Sequence, residues 1–403
     1  MTEDRAYRYI IVGGGLAGAT AADGIREVDP DGGILILAHE VHLPYHRPPL
    51  TKKLWSGGQT VDEIFVHDEA YYREKKIDVQ MGTMVTTLDP RGKAVRDLHG
   101  TTYRYEKLLL ATGGAPRRLA IPGGDLDGVC YYRYLDDYRW LRPRAEEGTS
   151  AVVIGGGFIG SEIGAALAMN RVDVIMIFPS PYLCDRVLPP SLGEAIEARY
   201  REHGVVIYPL ERPVSFHRDR GRFITTTEAG REIASNHLIV GIGIVPSVKL
   251  ADDAGLAVDD GIIVDAYLRT SEPDIYAAGD NARFPYAALG IRTRIEHWDN
   301  AKDQGKVAGR NMAGGAEPFD DMPFFFSDLF EFGYEAVGDV DTRLRTFADW
   351  ERENEKGVIY YLADRKVRGA MMCGVWGKVD DARELIRRGE ELDDPESLRG
   401  RIR

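Results

Sequence analysis

Two glycine fingerprints constrain this chain more than any other feature: Tyr9-Ile10-Ile11-Val12-Gly13-Gly14-Gly15-Leu16-Ala17-Gly18 near the start, and Ala151-Val152-Val153-Ile154-Gly155-Gly156-Gly157-Phe158-Ile159-Gly160 in the middle. Each joins an aliphatic, largely β-branched run to G-x-G-x-x-G and then to a small-residue helix, Ala19 to Ala22 in one copy and Ile163 to Ala168 in the other. That succession reads as a buried parallel strand, a tight turn and a helix N-terminus. The glycines permit the turn and a close backbone approach, while the helix start stabilises a pyrophosphate. A lone G-x-G-x-x-G is weak evidence, but both copies follow a strand and open a helix. Two bound dinucleotides are therefore expected.

At 403 residues the chain exceeds the usual single-core size, so two or three domains are expected. Hydrophobic content of 44% and 45 glycines fit an α/β protein. No run of about 18 apolar residues reads as a membrane span. The first strand is reached within nine residues, with neither a secretory apolar core nor an Arg-rich transit segment, which makes cytoplasm the expected location. A net charge of −13 argues against nucleic acid or an anionic membrane as the main partner. The cysteines, Cys130, Cys184 and Cys373, are widely spaced and form no C-x-x-C or C-x-x-x-x-C pair. A redox disulfide, a zinc site or an iron–sulfur site is thus not expected, and no metal is assigned. Each cysteine reads as a small packing residue.

A second apolar strand, Ile34-Leu35-Ile36-Leu37, leads to His39-Glu40. Glu40 lies 22 residues beyond Gly18, where a ribose-binding acid belongs, with His39 as the competing position. In Leu43-Pro44-Tyr45-His46-Arg47-Pro48-Pro49-Leu50-Thr51-Lys52, two prolines stiffen the chain between two cations. Arg47 suits a pyrophosphate, and Lys52 reaches further as a point charge. Leu108-Leu109-Leu110-Ala111-Thr112-Gly113-Gly114 ends another strand at a glycine turn, and Asp274-Ile275-Tyr276-Ala277-Ala278-Gly279-Asp280-Asn281 repeats the device with an added acid. These segments flank the second fingerprint, so the second domain is expected to be inserted into the first. The expected fold class is α/β: two Rossmann-like dinucleotide-binding domains, in an arrangement that resembles that of glutathione reductase, with a small α+β C-terminal domain. The expected boundaries are 1–118 with 247–320, 119–246, and 321–403. The last part opens with Phe324-Phe325-Phe326-Ser327-Asp328, alternates through Val358-Ile359-Tyr360-Tyr361-Leu362 and closes on an amphipathic helix, Asp380 to Arg388. The run Glu351-Arg352-Glu353-Asn354-Glu355-Lys356 reads as a solvated loop.

In this order the segments resemble the two-dinucleotide flavoprotein reductases: the ferredoxin and rubredoxin reductases of oxygenase systems and their relative, apoptosis-inducing factor. The most specific marks are Arg47-Pro48-Pro49-Leu50 with Lys52, Ala111-Thr112-Gly113-Gly114, Ala278-Gly279-Asp280 and Glu296-His297-Trp298-Asp299-Asn300-Ala301. Ser327-Asp328, Gly333-Tyr334-Glu335-Ala336 and Gly357-Val358-Ile359-Tyr360-Tyr361-Leu362 resemble apoptosis-inducing factor in particular. The resemblance implies FAD across the first domain, with Gly13, Gly15 and Gly18 at its pyrophosphate and Glu40 or His39 at the adenosine ribose. Arg47, Lys52, Ala111 and Gly279 would lie along the cofactor, with Asp280 on the ribityl chain. Val85 matches a position whose backbone meets adenine, and is equally an ordinary strand residue. Glu296 and His297 would lie beside the isoalloxazine, Trp298 nearby or in the core. A helix starting after His297 would bring backbone N–H groups to the flavin N1–C2 carbonyl. The inserted domain would hold the nicotinamide nucleotide through Gly155, Gly157, Ile159, Gly160 and Gly241, with Phe158 gating the flavin face. Lys52 and Glu162 would pair near flavin N5 and act in hydride transfer.

Two departures qualify the resemblance. Ser180 stands where NADH-selective relatives carry an acid, and Arg186 can meet a 2′-phosphate, which leans the expectation toward NADPH. Phe326 occupies a position beside the flavin that is often Trp. The implied function is hydride transfer from NAD(P)H to FAD, then electron transfer to an external acceptor, a small iron–sulfur protein of ferredoxin or rubredoxin type. A quinone-type reductase and a redox-controlled binding protein remain as alternatives, and a homodimer is left open. With no Cys from Val41 to Leu54, disulfide reduction is disfavoured.

Overall fold

A computed structural model describes residues 5–403. They form two compact units. One comprises the chain up to His46, Val61–Ala115 and Val245–Pro323; the other comprises Arg47–Thr60, Pro116–Ile244 and Phe324–Arg403.

The first unit begins with β1 (Arg5–Val12), helix α1 (Leu16–Val28) and β2 (Ile34–Leu37). It continues through β3 (Ile77–Gln80), β4 (Val85–Asp89), β5 (Ala94–Asp97) and β6 (Thr102–Leu110). The sheet order is β3-β2-β1-β6-β5-β4. β3, β2, β1 and β6 run parallel, which explains why Tyr9 to Val12 and Ile34 to Leu37 are apolar and buried without alternation. β5 turns back antiparallel against the start of β6, and β4 pairs antiparallel with β5 at the edge.

The chain then enters the second unit, where β7 (Val129–Tyr131), β8 (Ser150–Ile154), α2 (Phe158–Met169), β9 (Asp173–Ile177), α3 (Pro190–Glu202) and β10 (Val206–Tyr208) precede an antiparallel trio. The trio is β11 (Pro213–Asp219), β12 (Arg222–Thr227) and β13 (Glu232–Ser235), after which β14 (His237–Val240) returns to the parallel sheet. That sheet has the order β10-β9-β8-β14-β7. Val152, Ile154, Leu238 and Val240 share one buried cluster with Phe216 and Phe223 of the trio, as the two-residue strand period requires.

Back in the first unit, β15 (Ile275–Ala277) pairs with the end of β6, and α4 (Trp298–Met312) packs on α1. The helices meet through glycine. A Cβ on Gly305 would stand 2.3 Å from the Ala17 carbonyl oxygen, one on Gly309 2.0 Å from that of Ala21, and one on Gly24 2.2 Å from that of Lys306.

The last segment belongs to the second unit: β16 (Phe324–Leu329), β17 (Phe332–Gly338), β18 (Arg345–Arg352), β19 (Lys356–Ala363), β20 (Lys366–Cys373) and α5 (Val379–Arg388). Its antiparallel sheet has the order β16-β17-β20-β19-β18. α5 buries Ala382 and Ile386, four residues apart and so on one face, as its amphipathic pattern predicts. Two expectations need correction. Val358 to Leu362 does not alternate but is buried residue by residue; the Tyr361 hydroxyl, for instance, donates to the Val187 carbonyl at 2.5 Å. The charged run is not all loop either: Glu351 and Arg352 end β18 and Lys356 starts β19, with Lys356 Nζ 2.7 Å from Glu351 across the hairpin.

Candidate functional site

The two fingerprints fold alike. Gly13 has φ +132°, and a Cβ there would lie 2.0 Å from the Ala111 carbonyl oxygen; Gly155 has φ +118°, and its Cβ would lie 2.2 Å from that of Gly241. Only glycine meets both demands. A Cβ on Gly18 would strike the Gly13 carbonyl oxygen at 2.1 Å, and one on Gly160 that of Gly155 at 2.0 Å. By contrast, a Cβ on Gly15 or Gly157, the N-caps of α1 and α2, would meet nothing within 4 Å, so each helix start is open on that side. The first amides of a helix lack intrahelical acceptors, so both openings suit a phosphate.

In the first unit Ala38 follows β2 directly, then exposed His39 and half-buried Glu40. The Tyr45 hydroxyl donates to Glu40 Oε2 at 2.6 Å and orients that carboxylate. Val85 opens β4, while the amide of Gly82 donates to the Glu40 carbonyl at 3.0 Å. At Gly279–Asn281 three polar side chains fix the backbone. Gln304 Oε1 accepts from the Gly279 amide at 2.9 Å, and Asn281 Nδ2 donates to the Leu110 carbonyl at 3.0 Å. Arg294 Nη1 donates to the Asp280 carbonyl at 3.0 Å and to Glu296 Oε1 at 2.6 Å, and Nη2 lies 3.2 Å from Asp260. His297 is the N-cap of α4; burial pushes its imidazole down to about 4, against the opposing pull of Asp280. Trp298 donates from Nε1 to His46 Nδ1 at 2.9 Å. His46 can accept because burial, then His67, holds it below the usual histidine range. Gln304 Nε2, Asn281 Oδ1 and Asn300 Oδ1 are buried polar atoms with no protein partner, a costly state unless a ligand or water completes them. With the open cradle at Gly15, this set fits a dinucleotide with polar groups beyond its pyrophosphate.

In the second unit the residue directly after β9 is Phe178, fully buried and packed on Gly156, whose Cβ would come within 2.7 Å of the ring. Ser180 Oγ donates to the Tyr182 carbonyl at 3.0 Å. Arg186 is exposed; its carbonyl accepts from the Thr342 amide at 2.9 Å. Its charge helps hold the Asp341 carboxyl down, after the larger effect of Arg343. Exposed Ile159 and half-buried Phe158 start α2, with Phe158 edge-on to Phe325 at 5.4 Å between centroids.

Lys52 and Glu162, far apart in sequence, meet as expected: Lys52 Nζ is 2.5 Å from Glu162 Oε1, with side-chain exposures of 11% and 6%. Phe326 faces Lys52, the ammonium 5.3 Å from its ring centroid. Arg47 donates to the Arg133 carbonyl at 3.0 Å and stacks on Tyr134, within the second unit. All three cysteines are free and buried, and burial pushes the Cys184 thiol up to about 12. Sequence reasoning passes over Arg294, Thr51, Ser327 and Phe178. Each adjoins or nearly adjoins a residue that it does single out, but at least one partner of each lies on another element.

Two helix-start cradles on parallel sheets, one followed by an acid after a glycine turn, define a protein with two dinucleotide sites. The chain belongs to the pyridine nucleotide-disulphide oxidoreductase family, whose model matches residues 7–305, and it is an oxidoreductase of that family. It is 32% identical to the mitochondrial apoptosis-inducing factor 1 of Dictyostelium discoideum, over 98% of this chain and 81% of that one. It is 33% identical to the ferredoxin–NAD(+) reductase component of the anthranilate 1,2-dioxygenase system of Burkholderia cepacia, over 97% and 96%. The reductase in a covalent putidaredoxin reductase–putidaredoxin complex superposes with a TM-score of 0.91 at 28% identity, covering 97% and 95% of the two chains. Among the described residues no helix is long and apolar enough to cross a membrane.

Proposed function

We propose that this oxidoreductase takes hydride from NAD(P)H onto FAD and passes the electrons to a small iron–sulfur protein of ferredoxin or rubredoxin type. The observation that carries the reading is the pair of matching cradles, open at Gly15 and at Gly157, in a chain whose three thiols are buried and unpaired. A second nucleotide then supplies the redox centre that the cysteines do not. FAD, when bound, would supply the acceptance of two electrons as hydride and their release one at a time, so no protein nucleophile would be required.

The chain's own residues bind and orient. Gly13, Gly15 and Gly18 with the α1 amides would hold the FAD pyrophosphate, Glu40 the adenosine ribose and Asp280 the ribityl hydroxyls. Val85, Ala111, Gly279, Glu296 and His297 would line the same cofactor. Gly155, Gly157, Gly160 and Gly241 with the α2 amides would hold the nicotinamide nucleotide, Phe158 and Phe326 would border its reacting end, and Lys52 with Glu162 would orient it. For the nucleotide itself we favour NADPH at least equally with NADH, because no carboxylate stands at Phe178, Pro179 or Ser180, and Arg186 is exposed.

Heat-released chromophore, identified by chromatography, should be FAD, and Asp280→Ala should weaken its retention more than Glu353→Ala. Turnover of the purified flavoprotein with a panel of ferredoxins, rubredoxins and quinones then ranks acceptors. FMN, or no flavin at all, overturns the proposal; fast turnover confined to quinones replaces the acceptor. The likeness to apoptosis-inducing factor favours a second reading, redox-controlled assembly, which slow reoxidation with a change of oligomer on NAD(P)H addition would support.

A further inference from the structure

We propose that Thr51 and Ser327 are positioning residues that lock both oxygens of Glu162 and thereby fix the ammonium of Lys52. The inference rests on the hydride-transfer role proposed above for Lys52 and Glu162.

Glu162 is the exception on its helix. From Gly160 to Leu167 α2 is buried, and its other buried side chains carry no charge. A carboxylate in that position needs its lone pairs filled. Thr51 Oγ1 donates to Oε2 at 2.5 Å, and Ser327 Oγ donates to Oε1 at 2.8 Å, the same oxygen that Lys52 approaches at 2.5 Å. Thr51 is 4% exposed and Ser327 1%, so water does not compete for these bonds. With the three donors reaching it from two sides, the turn Pro48–Thr51 and its following residue on one and β16 on the other, the carboxylate cannot rotate without breaking one of them.

The register explains why β16 delivers Ser327. Residues two apart on a strand share a face and lie about 6.7 Å apart, whereas residues four apart on a helix share a face and rise about 6 Å. Phe325 and Ser327 therefore match Phe158 and Glu162 rung for rung, the first rung an aromatic contact at 5.4 Å and the second a hydrogen bond at 2.8 Å. Phe326, between them on the strand, points the other way and meets Lys52. A single strand from the C-terminal segment thus touches the proposed gate, the cation and the carboxylate.

Anaerobic stopped-flow reduction of the flavin-loaded protein, by NADH and by NADPH in separate runs, tests the assignment. Thr51→Val and Ser327→Ala should each lower the limiting rate about tenfold, the low end expected for a hydrogen bond to a charged group. FAD content and the nucleotide's apparent dissociation constant should stay as in the parent. Thr51→Ser should restore the rate, and in a Glu162→Gln background neither substitution should cost its full factor. Wild-type rates in T51V and S327A with a slowed E162Q overturn the positioning role and leave the parent reading standing. A wild-type rate in E162Q overturns both. Equal losses in the parent and E162Q backgrounds reduce the two hydroxyls to packing and overturn the proposal as well.

Discussion

At the scale of single residues, charge in a dry place decides which side chains are tied together. Deleting one partner of a buried ion pair costs about 3–5 kcal/mol because the other is left uncompensated. Lys52 and Glu162 are such a pair, and their hydroxyl donors complete it. In the other unit the little-exposed guanidinium of Arg294 is tied as well, to the Asp280 carbonyl, Glu296 and Asp260. On the function proposed above, nucleotide choice would be set by what is missing from one position. Phe178, directly after β9, is buried, and Ser180 spends its hydroxyl on the Tyr182 carbonyl, so a ribose bound there would meet no anion. NADPH should therefore reduce the flavin with kcat/KM at least equal to that of NADH, and Ser180→Glu should shift selectivity toward NADH. An NADH preference of more than about tenfold, equivalent to about 1.4 kcal/mol, contradicts this.

At the scale of elements, glycine sets how closely helices approach. α1 and α4 pack backbone to backbone because Gly24, Gly305 and Gly309 present no side chain at the crossing. Gly309→Ala places a methyl 2.0 Å from the Ala21 carbonyl oxygen, and the helices must separate to admit it. Overpacking of this kind costs about 1–3 kcal/mol, and in a unit of this size each kcal/mol lowers Tm by about 2–4 °C. Gly33→Ala meets its nearest neighbour at 3.7 Å and serves as the control, with an expected change within about 0.5 kcal/mol. Differential scanning calorimetry of the two variants separates them; matching Tm values would remove the close packing from the stability of this unit.

At the scale of the whole molecule, the chain alternates between its units: Arg47–Thr60 and Pro116–Ile244 belong to the second, each followed by a first-unit segment, before Phe324–Arg403 completes the second. The segment from Phe324 onward is grouped with Pro116–Ile244, held by the Thr342 amide on the Arg186 carbonyl, by Tyr361 on Val187 and by His203 stacked on Phe330 at 3.9 Å. The sequence pattern alone suggests 321–403 as a domain of its own. A chain ended after Asp320 distinguishes the two views. We expect it to lose protease resistance across 116–244, because α2 would lose Phe325 and Ser327 and the loop at Arg186 would lose Thr342. Unchanged resistance there would establish the last segment as an independent domain.

The sequence by itself determined the parts whose physics is local. The strand Ile34–Leu37, the two strand–turn–helix cradles and the amphipathic helix read over Asp380 to Arg388 were legible because apolar runs, glycine turns and helical spacing are short-range. The pairing of Lys52 with Glu162 came from family resemblance, and the folded geometry agrees with it. Local pattern misread Val358–Leu362, where neighbours distant in sequence cover both sides of a strand, and the charged hairpin at Glu351–Lys356, where strand pairing brings two charges together across a turn. Tertiary structure alone decided that Thr51 and Ser327 share one carboxylate, that Arg294 spans three acceptors and that Phe178 fills the strand end. Hydroxyls, guanidiniums and aromatic rings take their meaning from what stands within about 3–4 Å of them, and for these residues that neighbour is brought from another part of the chain by folding.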